Sequence, residues 1–321
     1  MPFISFIIPA KNEELYIGKC LDSIKRQDYP GDIEIIVIDN GSSDKTKTIA
    51  NQFDVKIITK LDGNISCLRN LGAKYSKGDL LVFVDADCIL PSNWLSTALR
   101  HLQQSYISAV VSPEWWHGTE PTWVEKYWCM MKHPARTDPI FVDWCSSQAL
   151  IIRRSVFEKL DGFNEKLTTC EDADLGYRLT SDKKSKILLD FSIKHSHLRA
   201  SKNLKELFIR EKWRGSGNLD GLSSHGVCLK EFASFCAPLF FGFSLIISFI
   251  FLITYIFSTN RISQLYTSIF FCLLALSIPI MFALYKLKSD QKINFPPYLV
   301  ISVTYLAARF LAFFTRQNRT W

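Results

Sequence analysis

The chain has 321 residues and a formal net charge of +7, from 38 basic and 31 acidic side chains, and 48% of its residues are hydrophobic. This length exceeds that of a typical single domain and predicts one large domain with an appended region. The nine cysteines contain no Cys-x-x-Cys pair, which disfavours a zinc site or a disulfide framework. The soluble core of the sequence, before the helix at 202–215, has no basic helix with interleaved aromatic residues, so we expect a membrane surface rather than nucleic acid as partner.

The first hundred residues alternate between strand and helix patterns. Apolar runs at residues 3–8, 33–38, 55–58 and 80–84 predict strands, and segments with helical spacing lie between them. This alternation predicts an α/β fold, a mostly parallel sheet flanked by helices on both faces. Ligands bind such sheets beyond the carboxyl ends of the strands. Gly-x-Gly-x-x-Gly and the P-loop pattern are both absent from the sequence, which disfavours a dehydrogenase and a nucleotide triphosphatase.

Polar side chains follow the predicted strands at these carboxyl ends. They are Asn12, Glu13, Asp39, Asp44, Asp85 and Asp87. Asp85 and Asp87 end the apolar run that begins at Leu80, and alternation along an extended chain points both carboxylates to one side. Two such carboxylates could share Mg²⁺ or Mn²⁺. The alternative is a turn whose aspartates cap the next helix.

The second half of the soluble region adds a second acidic cluster. Glu171, Asp172 and Asp174 open a predicted helix, where Glu171 and Asp174 could serve only to complement the helix dipole. We assign Asp172 as a general base, because an ordinary aspartate is ionised at neutral pH and can accept the proton of a hydroxyl nucleophile. His195 and His197 are either metal ligands or ordinary structural histidines. An aromatic segment from 115 to 128 suits a sugar, a membrane interface or core packing.

The composition changes near residues 228–235. Phe235 to Phe257 carries no charge and is long enough to cross a bilayer, and Leu265 to Tyr285 repeats the pattern. Phe295 to Phe314 is interrupted by Arg309, so it could span the bilayer, lie in the interface or re-enter. We therefore predict a cytosolic domain at 1–230 and a membrane region at 235–314 with two or three transmembrane helices.

The predicted orientation rests on two features. No signal peptide precedes the first strand, which predicts that the large domain stays in the cytosol. Lysines in the second inter-helix loop agree with the positive-inside bias for this orientation. A basic amphipathic helix at 202–215 precedes the first span. We expect it on the cytosolic membrane surface, or as a gate over the site.

Five sequence pieces in order resemble the family-two glycosyltransferases of GT-A fold, in particular members with a cytosolic catalytic domain anchored in the membrane. The matching pieces are Ile8 to Glu13, Ile38 to Thr46, Arg69-Asn70-x-Gly72, Val84 to Asp87, and Glu171 to Leu179. The resemblance implies a GT-A sheet, a nucleotide-sugar donor and a divalent metal, Mn²⁺ or Mg²⁺. It also implies an inverting transfer, in which an acceptor hydroxyl deprotonated by the base attacks the anomeric carbon.

The resemblance assigns roles to individual residues. The implied nucleotide-sugar site is lined by Pro9, Ala10, Asn12, Glu13, Asp39, Arg69 and Asp85. Within it Asp39 would read the base, with uracil the first choice, and Asp85 would lie near the ribose or sugar. By the resemblance, Asp87 would hold the metal and Asp172 would be the catalytic base. The residue patterns described above add Asp85 and His197 as further candidate metal ligands and Glu171 as a second catalytic candidate.

Two departures from the family pattern bear on the acceptor. Processive relatives carry Gln-x-x-Arg-Trp on the interfacial helix, where this chain has Arg210 to Arg214. Processive synthases also have membrane helices before the catalytic domain. We therefore favour a single transfer to a hydroxyl or phosphate of a membrane-associated, lipid-linked acceptor. The alternatives are a processive polysaccharide synthase and a non-catalytic membrane protein that binds a nucleotide sugar, the latter disfavoured because the acids of the motifs are intact.

Overall fold

The computed structural model describes residues 1–133, 137–217, 221, 229–258, 261–289 and 294–315. The chain forms two compact units. Of the described residues, the first unit contains 1–119 and 137–200, and the second contains 120–133 and the residues from 201 onward. The predicted division into domains at 1–230 and 235–314 stays a prediction.

Strands and helices alternate through the first unit as the apolar pattern predicts. The strands are β1 (Ile4–Ala10), β2 (Ile33–Asp39), β3 (Lys56–Thr59), β4 (Leu80–Val84), β5 (Cys88–Ile89), β6 (Ile107–Val111), β7 (Glu114–Trp115), β8 (Ile140–Val142), β9 (Ala149–Arg153), β10 (Lys186–Leu189) and β11 (His195–His197). The helices of the described residues in both units are α1 (Ile17–Lys25), α2 (Thr46–Ala50), α3 (Ile65–Tyr75), α4 (Trp94–Leu102), α5 (Trp123–Lys132), α6 (Arg154–Lys159), α7 (Glu171–Thr180), α8 (Leu204–Gly215), α9 (Leu229–Phe257), α10 (Arg261–Ser289) and α11 (Phe295–Ala312).

Eight strands form the central sheet, in the order β3-β2-β1-β4-β9-β6-β10-β8. The pairs β1–β2, β1–β4, β2–β3 and β6–β10 are parallel, whereas β9 runs antiparallel to both β4 and β6, and β8 is an antiparallel edge strand. The predicted mostly parallel sheet is confirmed. Its parallel strands bring their carboxyl ends to one edge, where the polar residues of the sequence lie.

The sheet is covered by apolar layers on both faces. Phe6 and Ile8 of β1 pack with Leu21 of α1 and Trp94 of α4, whereas Ile7 of the same strand belongs to the opposite layer. All seven residues of β1 are buried, because side chains that alternate across a doubly covered sheet meet a core on either side. This buried strand makes the sheet a firm support for the loops at its carboxyl edge.

A small second sheet, in the order β5-β11-β7, extends this edge. β11 pairs antiparallel with β5, which sets His197 opposite Cys88, the residue after Asp87. β11 also pairs in parallel with β7, with Ser196 opposite Trp115. A segment more than a hundred residues along the chain is thereby carried to the end of β4.

The second unit contains α5 and the four helices α8 to α11. In the part of the chain that the structure describes, three segments are long and apolar enough to cross a membrane, at Phe235–Phe257, Arg261–Lys286 and Phe295–Ala312. The third is a continuous helix although it carries Arg309. Within this unit the end of the aromatic segment packs in a core, where Tyr127 and Trp128 of α5 lie with Leu207 of α8 and Tyr298 of α11.

Arg309 has a buried partner on α8. Glu211, which is 1% exposed, accepts from Arg309 at 2.8 Å and from Arg214 at 2.9 Å. We call Glu211, Arg214 and Arg309 the helix clamp. A charged residue in a span is costly unless it is paired, so the helix clamp explains how an arginine is accommodated in α11.

Candidate active site

Asn12 ties together two loops at the carboxyl edge of the sheet. It follows β1 and adopts a left-handed backbone with a φ of 56°, which asparagine tolerates better than most residues. Its amide donates to the Ser42 Oγ at 3.0 Å, and its Oδ1 accepts from the Ser43 amide at 2.9 Å. The Glu13 amide donates to the Thr46 Oγ1 at 2.7 Å. The loop after β1 is therefore fixed to the loop after β2.

Asp39 is fully buried at the end of β2. It lies in register with Ala10, and the preceding residue of β1, Pro9, lies opposite Ile38. The Asp39 carboxylate accepts from the Gly41 amide at 3.1 Å and from the Ser42 amide at 3.2 Å, and the Lys47 Nζ lies 3.7 Å from it. The structure thus gives Asp39 a part in shaping its own loop, and its contact with a nucleotide base stays a prediction.

Arg69 joins the two acidic clusters of the sequence. Its side chain, 4% exposed on α3, donates through Nη2 to the Asp85 carboxylate and through Nη1 to the Glu171 carboxylate, both at 2.8 Å. We call Arg69, Asp85 and Glu171 the arginine bridge. The residue after β4 and the first residue of α7 are brought together although 86 positions separate them, because one guanidinium presents donors in two directions.

Negative charge is concentrated around the arginine bridge. Burial and the neighbouring Asp172 carboxylate raise the pKa of Glu171 from 4.5 to about 7, against the opposing effect of Arg69. In the loop after β1, burial raises the pKa of Glu13 to about 7, with Arg199 opposing this and Asp87 and Asp85 adding to it. An edge with this surplus of carboxylates favours cationic ligands.

Asp172 lies at the start of α7 and is half-buried. The residue before the helix, Cys170, has a φ of 68°, and this left-handed turn sets the direction in which the helix begins. The Asp172 Oδ1 accepts from the Ala173 amide at 2.8 Å, and the Asp172 carbonyl accepts from the Cys145 Sγ at 3.1 Å. Gly176 lets the helix approach closely, since a Cβ there would lie 2.6 Å from the Trp144 Cα. The base candidate is therefore held on a closely packed helix.

Asp174 belongs to a different set of contacts. It is fully buried, and Arg178 donates to its carboxylate at 2.7 Å within α7. Arg178 also donates to the carbonyls of Leu160 at 2.6 Å and Gly162 at 2.8 Å. Asp174 thus helps to hold the turn after α6 through Arg178.

The structure separates the two histidines of β11. The His197 Nε2 lies 3.2 Å from the Asp87 Oδ2, and its Nδ1 lies 3.9 Å from the Glu114 carboxylate. His195 is fully buried, with Nδ1 3.0 Å from the Ser112 Oγ. Of the two, His197 is the one brought to Asp87.

Asp87 and His197 suit a divalent cation whose remaining coordination positions are filled by a bound ligand. Carboxylate oxygen and imidazole nitrogen are donors that suit Mn²⁺, and Asp87 and His197 present both within 3.2 Å of each other. Among the residues that the structure describes, no group of three or more His, Cys, Asp or Glu side chains forms a complete metal cage. Cations of this kind are commonly held by one or two protein groups together with substrate phosphates. Asp85, whose Oδ1 is bonded to Arg69, lies two residues away.

Sequence reasoning missed Arg199 at this edge. Its Nη2 donates to the Glu13 carboxylate at 2.6 Å, and its Nε lies 3.8 Å from the Asp87 Oδ2. The guanidinium also lies 5.2 Å from the centre of the Tyr16 ring. Arg199 lies in the turn two positions after β11 ends at His197, so neither strand alternation nor helical spacing marks it in the sequence.

Comparisons with known proteins bear on the family and the fold of the chain. The sequence model of glycosyl transferase family 2 matches residues 5–161. The glycosyltransferase AglE of Haloferax volcanii is 30% identical over 196 residues, covering 56% of this chain and 64% of that protein. The beta-monoglucosyldiacylglycerol synthase of Trichormus variabilis is 28% identical over 198 residues, covering 57% of this chain and 42% of that protein. The chain thus spans less than two thirds of either relative.

Two solved structures share the fold over nearly the whole chain. The mannosyltransferase PcManGT from Pyrobaculum calidifontis, in complex with GDP-Man and Mn²⁺, has a TM-score of 0.60 at 16% identity, over 97% of this chain and 86% of that one. S. aureus TarS 1-349, in complex with UDP, has a TM-score of 0.50 at 18% identity, over 97% and 90%. At such identities the likeness concerns the fold.

Proposed function

The chain belongs to the family-two glycosyltransferases and has their GT-A fold, and on this premise we propose an inverting, metal-dependent transfer from a nucleotide diphosphate sugar to a membrane-associated, lipid-linked acceptor. One observation carries the proposal. The arginine bridge and the pair Asp87–His197 meet at the carboxyl edge of the sheet, so a base candidate and a metal-ligand pair flank one region. This edge is where ligands bind in α/β sheets.

On the donor side, Asp87 and His197, with Asp85 beside them, would hold Mn²⁺ or Mg²⁺. When bound, this cation supplies positive charge against the diphosphate that departs. Pro9, Ala10, Asn12, Glu13 and Asp39 would line the nucleoside pocket. We take a UDP-linked donor as the first choice, because the Asp39 carboxylate would accept from the uracil imide.

On the acceptor side, Asp172 would take the proton of the acceptor hydroxyl as its oxygen attacks the anomeric carbon. The bond from that carbon to the β-phosphate oxygen breaks in the same step, and the nucleoside diphosphate leaves with the electron pair. Attack opposite the leaving group inverts the anomeric configuration. Arg69 is bonded both to Glu171 at the start of α7 and to Asp85 on the donor side. Arg69 and Glu171 would thereby orient the start of α7 relative to Asp85.

The membrane-bound acceptor is supported by two observations. Three helices of the second unit are apolar and long enough to cross a bilayer, and one relative is named as a glycolipid synthase. We propose that the catalytic domain faces the cytosol, with α8 on the membrane surface. Labelling of an Asp54→Cys variant by an impermeant reagent, expected only after cells are permeabilised, tests this orientation. Equal labelling of intact cells would contradict it.

The activity is tested with the full chain in detergent, a membrane lipid extract and radiolabelled UDP- and GDP-sugars. We expect Mn²⁺-dependent incorporation into lipid, lost with EDTA and in Asp87→Ala, and retained in Asp54→Asn, which alters an exposed carboxylate of the same unit. NMR of the product should show an anomeric configuration opposite to that of the donor. Retention of configuration, or full activity in Asp87→Ala, would contradict the mechanism.

The base of the donor is tested separately by thermal shift. We expect UDP with Mn²⁺ to raise the melting temperature more than GDP with Mn²⁺. The reverse order would replace UDP by GDP as the donor class and leave the transfer reaction intact.

A further inference from the structure

We propose that Arg199 binds the β-phosphate of the donor and stabilises the negative charge that develops on it as the sugar departs. This inference rests on the proposed function and adds to it a residue that the family motifs of the sequence did not include. It is carried by the position, the exposure and the present partners of the Arg199 side chain.

The backbone around Arg199 is fixed to the end of β4. β11 pairs with β5, and the Leu198 amide donates to the Asp87 carbonyl at 2.8 Å. These contacts hold the residues after His197 alongside Asp87. Arg199 is therefore directed to the same edge by main-chain bonds, and its long side chain alone has to move to reach a ligand there.

Arg199 is the accessible one of two arginines at this edge. Its side chain is 44% exposed, whereas that of Arg69 is 4% exposed. Arg69 is held between two carboxylates of the arginine bridge, and both of its bonds are short. A ligand that enters the edge can thus meet the Arg199 guanidinium without breaking the arginine bridge.

The carboxylates beside Arg199 are far more buried than the arginine itself. The Glu13 and Asp87 side chains are 9% and 12% exposed. The guanidinium therefore lies over two acids, on their solvent side. The Arg199 Nε lies 3.8 Å from the Asp87 Oδ2. A divalent cation bound to the Asp87 carboxylate would therefore repel the Arg199 guanidinium. A diphosphate that bridges the cation and Arg199 removes this repulsion, because it supplies negative charge to both.

The chemistry of the leaving group matches that of the side chain. The planar guanidinium presents paired donors that suit phosphate oxygens. During transfer the bond between the anomeric carbon and the β-phosphate oxygen breaks, and the electron pair stays on that oxygen. A fixed cation at this oxygen stabilises the transition state more than the ground state, since the charge is larger there.

The test compares nucleoside diphosphates with monophosphates. Dissociation constants of UDP, UMP, GDP and GMP are measured by calorimetry with Mn²⁺ for the full chain and for Arg199→Ala, Arg199→Lys and Arg26→Ala. Arg26 is an exposed arginine directly after α1 that pairs with Asp22, so it controls for loss of one positive charge. We expect Arg199→Ala to weaken diphosphate binding by about tenfold or more, the size of a lost charged hydrogen bond. Monophosphate binding should change less than about twofold, and Arg199→Lys should fall between.

The outcomes separate this inference from the proposed function. If the unaltered chain binds UDP or GDP and Arg199→Ala binds it equally well, Arg199 has no part in diphosphate recognition. Equal weakening of diphosphate and monophosphate would assign Arg199 to the shape of the loop around Glu13, which also overturns the inference. If the unaltered chain binds no nucleotide, the proposed function itself fails. Melting temperatures without nucleotide show whether each variant is folded.

Discussion

Each unit contains a cluster of three charged side chains around a buried central residue, and the two clusters have opposite charge balance. In the arginine bridge of the first unit, one cation is bonded to two carboxylates at 2.8 Å each. In the helix clamp of the second unit, one carboxylate is bonded to two cations at 2.8 and 2.9 Å. The charges of both clusters lose hydration on folding. The clusters differ in whether their negative charge is balanced by positive charge within the cluster.

This difference appears in the pKa of one buried glutamate from each cluster. In the arginine bridge, burial and a nearby aspartate raise the pKa of Glu171 to about 7. In the helix clamp, burial of Glu211 acts in the same direction, but Arg214 and Arg309 outweigh it and hold the pKa below its usual range. The helix clamp compensates its own carboxylate, as a contact between helices requires. The arginine bridge keeps a surplus of negative charge, which is expected of a site that receives ligands.

The largest expected effect tests whether the surplus of negative charge around the arginine bridge serves catalysis. Asp172→Asn should lower the transfer rate by about 10²- to 10⁴-fold, the usual contribution of a general base, because the amide cannot accept the proton. Affinity for the nucleoside diphosphate and melting temperature should stay close to those of Asp54→Asn, the exposed control. Steady-state transfer with labelled donor measures the first quantity, and calorimetry the second. Undiminished transfer would remove Asp172 as the base.

The next effect tests whether the helix clamp is structural. Arg309→Met leaves Glu211 with one partner fewer and should destabilise the protein by about 3–5 kcal/mol, as breaking a buried pair does. The double variant Glu211→Leu with Arg309→Met should return to within about 1 kcal/mol, because apolar replacement of a buried pair is often neutral. Unfolding in detergent measures both, and nucleotide affinity should not change. A double variant as unstable as the single one would show that the charges themselves are needed.

Stability should depend on pH with opposite sign in the two clusters. The folded pKa of Glu171, about 7, exceeds its ordinary 4.5, so its stabilising contribution is complete below pH 4.5 and is lost as the pH rises to about 7. The pKa of Glu211 is lowered from 4.5, so its contribution is present above that pH and is lost as the pH falls below it. Melting temperatures are therefore measured from pH 3 to 8. Relative to Glu171→Gln, the melting temperature of the unaltered chain should fall as the pH rises to about 7, and relative to Glu211→Gln it should fall as the pH drops below 4.5. Glu158→Gln, on an exposed side chain, should run parallel to the unaltered chain.

The strand-end residues could be predicted because they depend on local pattern. Apolar runs placed β1, β2 and β4, and the rule that parallel strands share a carboxyl edge gathered Glu13, Asp39 and Asp85 there. The same reasoning left the choice between His195 and His197 open. That choice depends on how β11 pairs with β5, a long-range register that no local spacing encodes.

Other features depend on contacts between distant segments. Arg309 interrupted the third apolar segment, and its partner Glu211 lies 98 positions earlier on a helix whose basic face had suggested a membrane surface. The aromatic segment at 115–128 had several interpretations, and the structure places α5 in the second unit because its apolar face packs with α8 and α11. Periodicity shows that a face is apolar, and only the folded chain shows what covers it.

The smallest expected effect comes from substituting glycines at close helix contacts, one in each unit. The two substitutions should differ in their effect on transfer. A Cβ at Gly176 would lie 2.6 Å from the Trp144 Cα, and a Cβ at Gly215 would lie 2.7 Å from the Ala312 Cβ. Gly176→Ala and Gly215→Ala should each destabilise by about 1–3 kcal/mol through overpacking, although alanine is the better helix former. Gly176→Ala should also lower transfer, because the backbone it meets cannot yield and the shift moves Asp172.

Gly215→Ala should leave nucleotide affinity unchanged, because it strains the contact between α8 and α11 and no residue of the donor site. Gly18→Ala is the matched control, since its closest neighbour is a single Ile49 methyl at 3.3 Å. Unfolding in detergent and calorimetry with UDP and GDP separate the two effects. Loss of nucleotide affinity in Gly215→Ala would mean that the helix clamp also shapes the donor site. The helix clamp could then no longer be regarded as purely structural, in contrast to the arginine bridge.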